Sequence, residues 1–240
     1  MPPSLDAASS VPYFHSRACT LASDEPLLRG AFQLRYQVYC LECEFLAAEN
    51  YPSRIEIDEY DSEAAHFCTY NREDELVGYV RLIIPAPHSA LPVLQRCGSL
   101  LPGIELPSLE NAAEISRLMV REDYRRRRGD TLSGVGADDM AAAPDSERRT
   151  KSPRILLSMF RQMYLFSVRR DIRYWFAAME PTLARVLSRM HFSFRQIGPT
   201  ADYYGPVAPY MADLRELEAA VGAKNPALLD WLRTAEKLDL

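Results

Sequence analysis

The chain has 240 residues, 48% of them apolar and 25% charged, with a formal net charge of −5. That length is enough for a single well-filled core without staples, and the slight acidity excludes the basic footprint that general nucleic-acid binding needs. Five cysteines make an odd, sparse set, which argues against a disulfide scaffold and for a reducing, cytoplasmic setting.

In chain order, residues 1–11 are rich in Ser, Ala and Pro and are expected to be disordered. Tyr13 to Leu21 reads as a first strand. Leu27, Ala31, Leu34, Val38 and Leu41 fall at helical spacing, which predicts a helix from Leu27 to Cys43. An acidic, irregular stretch follows. Ala65 to Tyr70 and Leu76 to Ile84 form a hairpin across the polar turn Asn71–Glu75. A Pro-rich connection holds one short helix, Leu91 to Cys97. Ala113 to Val120 is a further strand, and Arg125 to Gly129 a basic loop. Residues 131–152 lack any period and read as a flexible insert. Ser152 as cap and Pro153 in the first position open a strong helix. Then come a buried strand, Arg173 to Met179, a short helix, Pro181 to Met190, and two closing strands, Phe192 to Ile197 and Val207 to Leu214. Residues 215–240 form a helical extension, with Leu228, Trp231, Leu232 and Ala235 at helical spacing. This order predicts one α/β (α+β) domain over 12–214, a central twisted mixed sheet with helices on both faces.

Charge is unevenly placed. Between Glu42 and Glu63 stand eight acids and one base; between Arg148 and Arg173 stand eight bases and one acid. Such blocks suggest an acidic site and a basic docking face.

Three constellations carry chemistry. Glu56, Asp58 and Asp61 lie in one short acidic loop, and close carboxylates repel unless cations sit among them. Arg35, Arg81 and Arg117 lie on elements expected nearby. A hard metal ion is the alternative, but the spacing does not fit a calcium loop, so no metal is expected. In Glu114-Ile115-Ser116-Arg117, strand alternation puts Glu114 and Ser116 on one face and Ile115 and Arg117 on the other. Arg125, Arg126, Arg127, Arg128 and Gly129 follow that strand and precede a helix, an arrangement that favours an anion such as phosphate. Cys40 and Cys43 read as buried thiols, because no further zinc ligands follow. The four histidines show no metal or triad spacing, and no nucleotide-binding glycine motif or hydrolase elbow is present.

Arg35-x-x-x-Tyr39, Glu56-x-Asp58-x-x-Asp61, Arg81-Leu82 and Glu114-x-x-Arg117, in this order and spacing, resemble the acyl-homoserine-lactone (autoinducer) synthases of the GNAT acyltransferase superfamily. The phrases around Arg35, Glu59-Tyr60-Asp61 and Glu114 look closest to the acyltransferases associated with the PEP-CTERM/exosortase system, near the long-chain N-acyl amino acid synthases. The resemblance implies a GNAT fold and N-acyl transfer from a thioester to an amine. The donor would be the phosphopantetheine of an acyl carrier protein or acyl-coenzyme A, used as co-substrate with no permanent cofactor. The acceptor would be an amino acid or related small amine. Arg35, Glu56, Asp58, Asp61, Arg81 and Arg117 would form the family's charge network, Glu114 would help deprotonate the amine, and Arg125 to Gly129 would hold the donor's phosphates. Backbone N–H groups near Met119 and Val120 are the expected oxyanion donors. Strand Ala113–Val120 should then diverge from Arg173–Met179 to admit the thioester arm. An autoinducer synthase proper, an ordinary acetyltransferase and a non-catalytic acyl-binding regulatory module are the rival readings.

Overall fold

A computed structural model describes residues 14–20, 25–86, 89–125 and 151–234. The N-terminal stretch 1–11, Arg126 to Gly129, the insert from 131 to 150 and Ala235 lie outside the described residues.

Eight strands form a mixed sheet in the order β1-β2-β3-β4-β5-β8-β6, with β7 paired to β8. They are β1 (His15–Cys19), β2 (Ala64–Tyr70), β3 (Leu76–Ile83), β4 (Ala112–Val120), β5 (Tyr174–Met179), β6 (Arg195–Gln196), β7 (Ala201–Asp202) and β8 (Pro206–Asp213). The pair β4–β5 is parallel and the others are antiparallel. On one face lie α1 (Glu25–Tyr36) and α2 (Pro92–Arg96); on the other lie α3 (Lys151–Arg169), α4 (Pro181–Arg189), α5 (Leu214–Lys224) and α6 (Pro226–Arg233). The sheet with helices on both faces is the GNAT-like fold expected from the sequence.

The main core forms where Leu156, Met159, Phe160 and Met163 of α3 meet Phe67, Val80 and Ile115. These α3 positions recur every three to four residues, which is why the stripe faces the sheet. Gly78 lets α3 approach β3: a Cβ there would sit 2.7 Å from Ile155 Cγ2 and 3.4 Å from Met159 Sδ. Gly78→Ala is therefore expected to lower stability by about 1–3 kcal/mol through overpacking, measured as a lower urea midpoint. An unchanged midpoint would mean that Ile155 yields freely.

Four expectations are corrected. Helix α3 is already running at Lys151, so Ser152 is not its cap; Pro153 is tolerated in the first turn, where its missing N–H has no helical partner anyway. The helix from Leu27 ends as α-helix at Tyr36 and continues as a π-helical turn, Gln37–Glu42. The strand expected from Phe192 is two residues long, because Phe192 is drawn into the core against Phe160, ring centroids 5.3 Å apart. Finally, Arg117 does not lie opposite Glu114. Arg81 pairs with Ser116 and Tyr79 with Met119, so two steps of β3 face three of β4. This is a β-bulge, and Arg117 takes the left-handed conformation at φ 53°. The bulge turns Arg117 onto the face of Glu114 and Ser116.

Beyond Ile115 the two central strands diverge. The β4–β5 ladder runs from Ala112↔Tyr174 to Ile115↔Ala177 and stops, although both strands continue. The divergence expected for a thioester arm is thus present.

Candidate active site

The opening between β4 and β5 is a cavity that reaches through the sheet. Its wall includes Tyr39, Glu114, Ser116 and Arg117 on the α1 side and Phe160, Leu183, Leu187 and Phe194 on the α3 side. The first end is polar and charged, the second apolar.

Behind the polar end, three guanidiniums and three carboxylates interlock as the acidic loop and the separate Arg positions led us to expect. Arg35 donates from Nε to Glu56 Oε2 at 2.5 Å and from Nη1 to Asp61 Oδ1 at 2.6 Å. Arg81 donates from Nη1 to Asp58 and Asp61 at 2.5 and 2.7 Å, and from Nε to Ser116 Oγ at 2.9 Å. Arg117 donates to both oxygens of Glu56, at 3.2 and 3.0 Å, and to Asp58 Oδ2 at 3.0 Å. Arg35 and Glu56 are fully buried, and Asp61, Arg81 and Arg117 nearly so. Burial works against ionised Glu56 and Asp58, but the hydrogen bonds and charges of the arginines overcome it and hold both below the usual carboxylate range. The formal charges of the six groups cancel, so a cation is not needed to keep the acids together. Arg81 and Arg117 line the cavity, whereas Glu56, Asp58 and Asp61 stand behind them.

His66 completes the network from below. Its Nε2 lies 3.1 Å from the Asp61 carbonyl, which can only accept, so Nε2 carries the proton. Nδ1 then accepts from the Tyr79 hydroxyl at 2.7 Å. Burial pushes this imidazole down to about 4, against the pull of Asp61. A neutral buried histidine whose pKa is depressed contributes stability that is complete above about 6.5, its unfolded value, and lost as pH falls from there to about 4.

Glu114 is set apart from the network. It is 3% exposed and accepts the Val93 N–H at 2.8 Å, the start of α2 being folded against it. Burial pushes its carboxyl up to about 7, tempered by that hydrogen bond and by Arg81 and Arg117. A group that titrates near neutrality in a cavity is suited to take up and release a proton there.

Aromatic rings cap Arg117. Its guanidinium lies 4.8 Å from the Tyr39 ring centroid and 5.6 Å from that of Tyr204. Phe45 touches both, with centroids 5.8 and 6.0 Å away. The π-helical turn delivers Tyr39, and the turn between β7 and β8 delivers Tyr203 and Tyr204, the latter at φ 57°. Residue pattern alone gives this turn no role, and Tyr203-Tyr204-Gly205, two aromatics in a turn before Pro206, is the mark it leaves in the sequence. Nor does pattern single out Glu180, which lines the cavity at the end of β5.

Other candidates lie elsewhere. Met119 and Val120 are paired with Tyr79 and Gly78 in the ladder and do not line the cavity. The wall there is Ser116, Arg117 and Leu118. Arg125 is ion-paired with Glu42. The basic block is not one face. Arg161 is buried under Trp231, with its guanidinium 4.6 Å from the ring, and Arg173 pairs with Asp213 at 2.6 Å. Arg169 and Arg170 sit at the far end of α3, while Arg154 lies in its first turns.

Residues 34–134 match the family model of the acetyltransferase (GNAT) domain. None of the curated proteins matches the chain significantly. Among solved structures, the fold is similar to TofI, in a ternary complex with an inhibitor and MTA (15% identity, TM-score 0.63, covering 90% of this chain and 96% of that one). It is also similar to BjaI, a CoA-dependent acyl-homoserine lactone synthase with SAM and isopentyl-CoA (18%, 0.60, 94% and 92%). A third is the AHL synthase LasI (15%, 0.59, 93% and 98%). The family match over residues 34–134 and the similar fold give the chain a GNAT-type acyltransferase domain. Within that class its fold is that of the acyl-homoserine-lactone synthases. Among the described residues, no helix is long and apolar enough to cross a membrane.

Proposed function

We propose that the protein transfers an acyl group, of long chain, from a phosphopantetheine thioester to the amine of an amino acid or related small molecule in the cytoplasm. The observation that carries this reading is the cavity itself: one opening joins a polar chamber holding Glu114 to an apolar chamber beneath α3 and α4. The thioester arm enters between β4 and β5, its acyl chain lies against Phe160, Leu183 and Leu187, and the amine sits beside Glu114 and Arg117. Glu114, directly or through a water, takes the proton that the amine must lose. The main chain of β4 past Ile115, which β5 no longer pairs, supplies N–H donors to the developing oxyanion. The charge network holds Arg81 and Arg117 in place and is itself a positioning device.

The donor is an acyl carrier protein or coenzyme A. An acidic carrier protein would be drawn by basic side chains, and Arg154 in the first turns of α3 and Arg169 and Arg170 at its far end lie too far apart along the helix to serve as one docking face. The likeness of the phrases around Arg35 and Glu114 to the exosortase-associated branch and the N-acyl amino acid synthases belongs to this reading. A second reading, acyl-homoserine-lactone synthesis, is favoured by the similarity of the fold to BjaI and LasI. Purified protein is to be incubated with acetyl- and palmitoyl-coenzyme A or the corresponding acyl carrier proteins, together with amino acids or S-adenosylmethionine. Mass spectrometry of the products is expected to find a long-chain N-acyl amino acid. A lactone would select the second reading, and the absence of thioester turnover with every amine would overturn both.

A further inference from the structure

The cavity holds a second carboxyl that neither the charge network nor the amine chemistry employs. Glu180 follows the last residue of β5 and lines the cavity from the strand opposite Glu114. It stands at the cap position of α4, yet its side chain makes no capping hydrogen bond. Among the described residues its carboxyl makes no ion pair and no side-chain hydrogen bond, although it is half-buried; only its backbone carbonyl is engaged, by the Ala184 N–H of α4 at 3.2 Å. A half-buried carboxyl without a partner costs stability and contributes nothing to the fold, so its place needs a chemical reason.

We propose that Glu180 is the acid that protonates the departing thiolate, an assignment that rests on the acyl-transfer reading above. Glu114 pairs in register with Phe176, so Glu180 lies four residues farther along the opening, about 13 Å between Cα atoms along the strand. Two side chains reaching inward shorten that span, leaving room for a thioester between an amine at Glu114 and a sulfur at Glu180. The entering arm comes from the end where Glu180 stands, since that is where the strands are apart. Of the hydroxyl-bearing groups at the wall, Ser116 accepts from Arg81 Nε at 2.9 Å, Tyr60 lies 6.0 Å from the Arg81 guanidinium, Tyr39 and Tyr204 cover Arg117 on the acceptor side, and Tyr203 stacks on Tyr204 at 4.7 Å. Burial pushes the Glu180 carboxyl up, which favours its protonated form.

The step balances. The amine nitrogen forms the new C–N bond, the C–S bond breaks, and its electron pair leaves on sulfur. Glu114 holds the proton lost by the amine, and Glu180 gives its proton to sulfur. Exchange with water returns both carboxyls to their starting states. Two carboxyls in one site, one as base and one as acid, divide the work as paired carboxylates do elsewhere.

The test varies the leaving group. The same acyl chain is offered as an alkyl thioester of N-acetylcysteamine and as a thiophenyl ester, whose thiol is far more acidic and leaves without help. Glu180→Gln is expected to lower kcat on the alkyl thioester by about 100-fold, the lower end for a lost general acid. With the thiophenyl ester the variant should stay within about threefold of the unmodified enzyme. Equal losses on both donors would assign Glu180 to positioning and overturn the proposal, as would no loss on either. So would a leaving-group-dependent loss found in Tyr204→Phe instead. Failure of the unmodified enzyme to turn over any thioester would strike the acyl-transfer reading itself, a separate outcome.

Discussion

Glu114→Gln is expected to lower kcat/KM for acyl transfer by roughly 100-fold or more, the usual contribution of a positioned base. The amide keeps an oxygen for the Val93 N–H, so the start of α2 has no reason to move. The rate of the unmodified enzyme should rise with pH through about 7, as the buried carboxyl ionises, and this limb should vanish in the variant. Stability gives a second, independent signal. Folded Glu114 holds a proton between about 4.5 and 7, where the unfolded chain does not, so its contribution falls as pH rises through that window. His66 acts in the opposite sense between about 4 and 6.5. The two nearly cancel from 4.5 to 6.5, so the unmodified protein should show a flat melting temperature there. Glu114→Gln removes one of the two opposing slopes. It should match or exceed the unmodified protein at pH 8 and lose stability steadily below pH 6.5, through His66. Near-normal turnover in Glu114→Gln at saturating donor would eliminate this carboxyl as the base. A flat stability profile in the variant would eliminate the assignment of His66 as the neutral buried group.

Arg117→Ala is expected to cost about 3–5 kcal/mol, because it leaves buried Glu56 and part-buried Asp58 without one of their partners. An exposed pair would cost only about 0–1 kcal/mol, so urea unfolding separates the two cases. The bulge adds a finer prediction. At φ 53° any residue with a Cβ is strained by about 1–3 kcal/mol, whereas glycine is not. Arg117→Gly should therefore be more stable than Arg117→Ala, by about 1 kcal/mol once the extra freedom of unfolded glycine is subtracted. Both should abolish transfer, since Arg117 lines the cavity. Equal stability of the two variants would contradict the strained bulge.

The network was legible in outline. Glu56, Asp58 and Asp61 cannot be gathered out of water without cations, and Arg35, Arg81 and Arg117 lay on elements that had to pack near that loop. What could not be read was that Arg117 faces the same way as Glu114. Alternation assigns side chains to faces by counting, and a bulge inserts a residue into the count without leaving a mark such as glycine at 117. His66 was equally hidden. Its partners are a backbone carbonyl and a hydroxyl on the neighbouring strand, and its spacing to other histidines carries no information about either.

Local pattern thus determined the α3 stripe, the β2–β3 hairpin, the central strand and the residue types of the site, because period and turn chemistry act over a few residues. The folded chain alone decided where β4 parts from β5, which of the six charged groups reach the cavity, and that Tyr204 and Glu180 stand at its wall. Glu114 and Glu180 are 66 positions apart in the chain. Ladder pairing and its interruption at Ile115↔Ala177 bring them to one opening, and the burial that raises both carboxyls exists only once the sheet and its helices have closed around them.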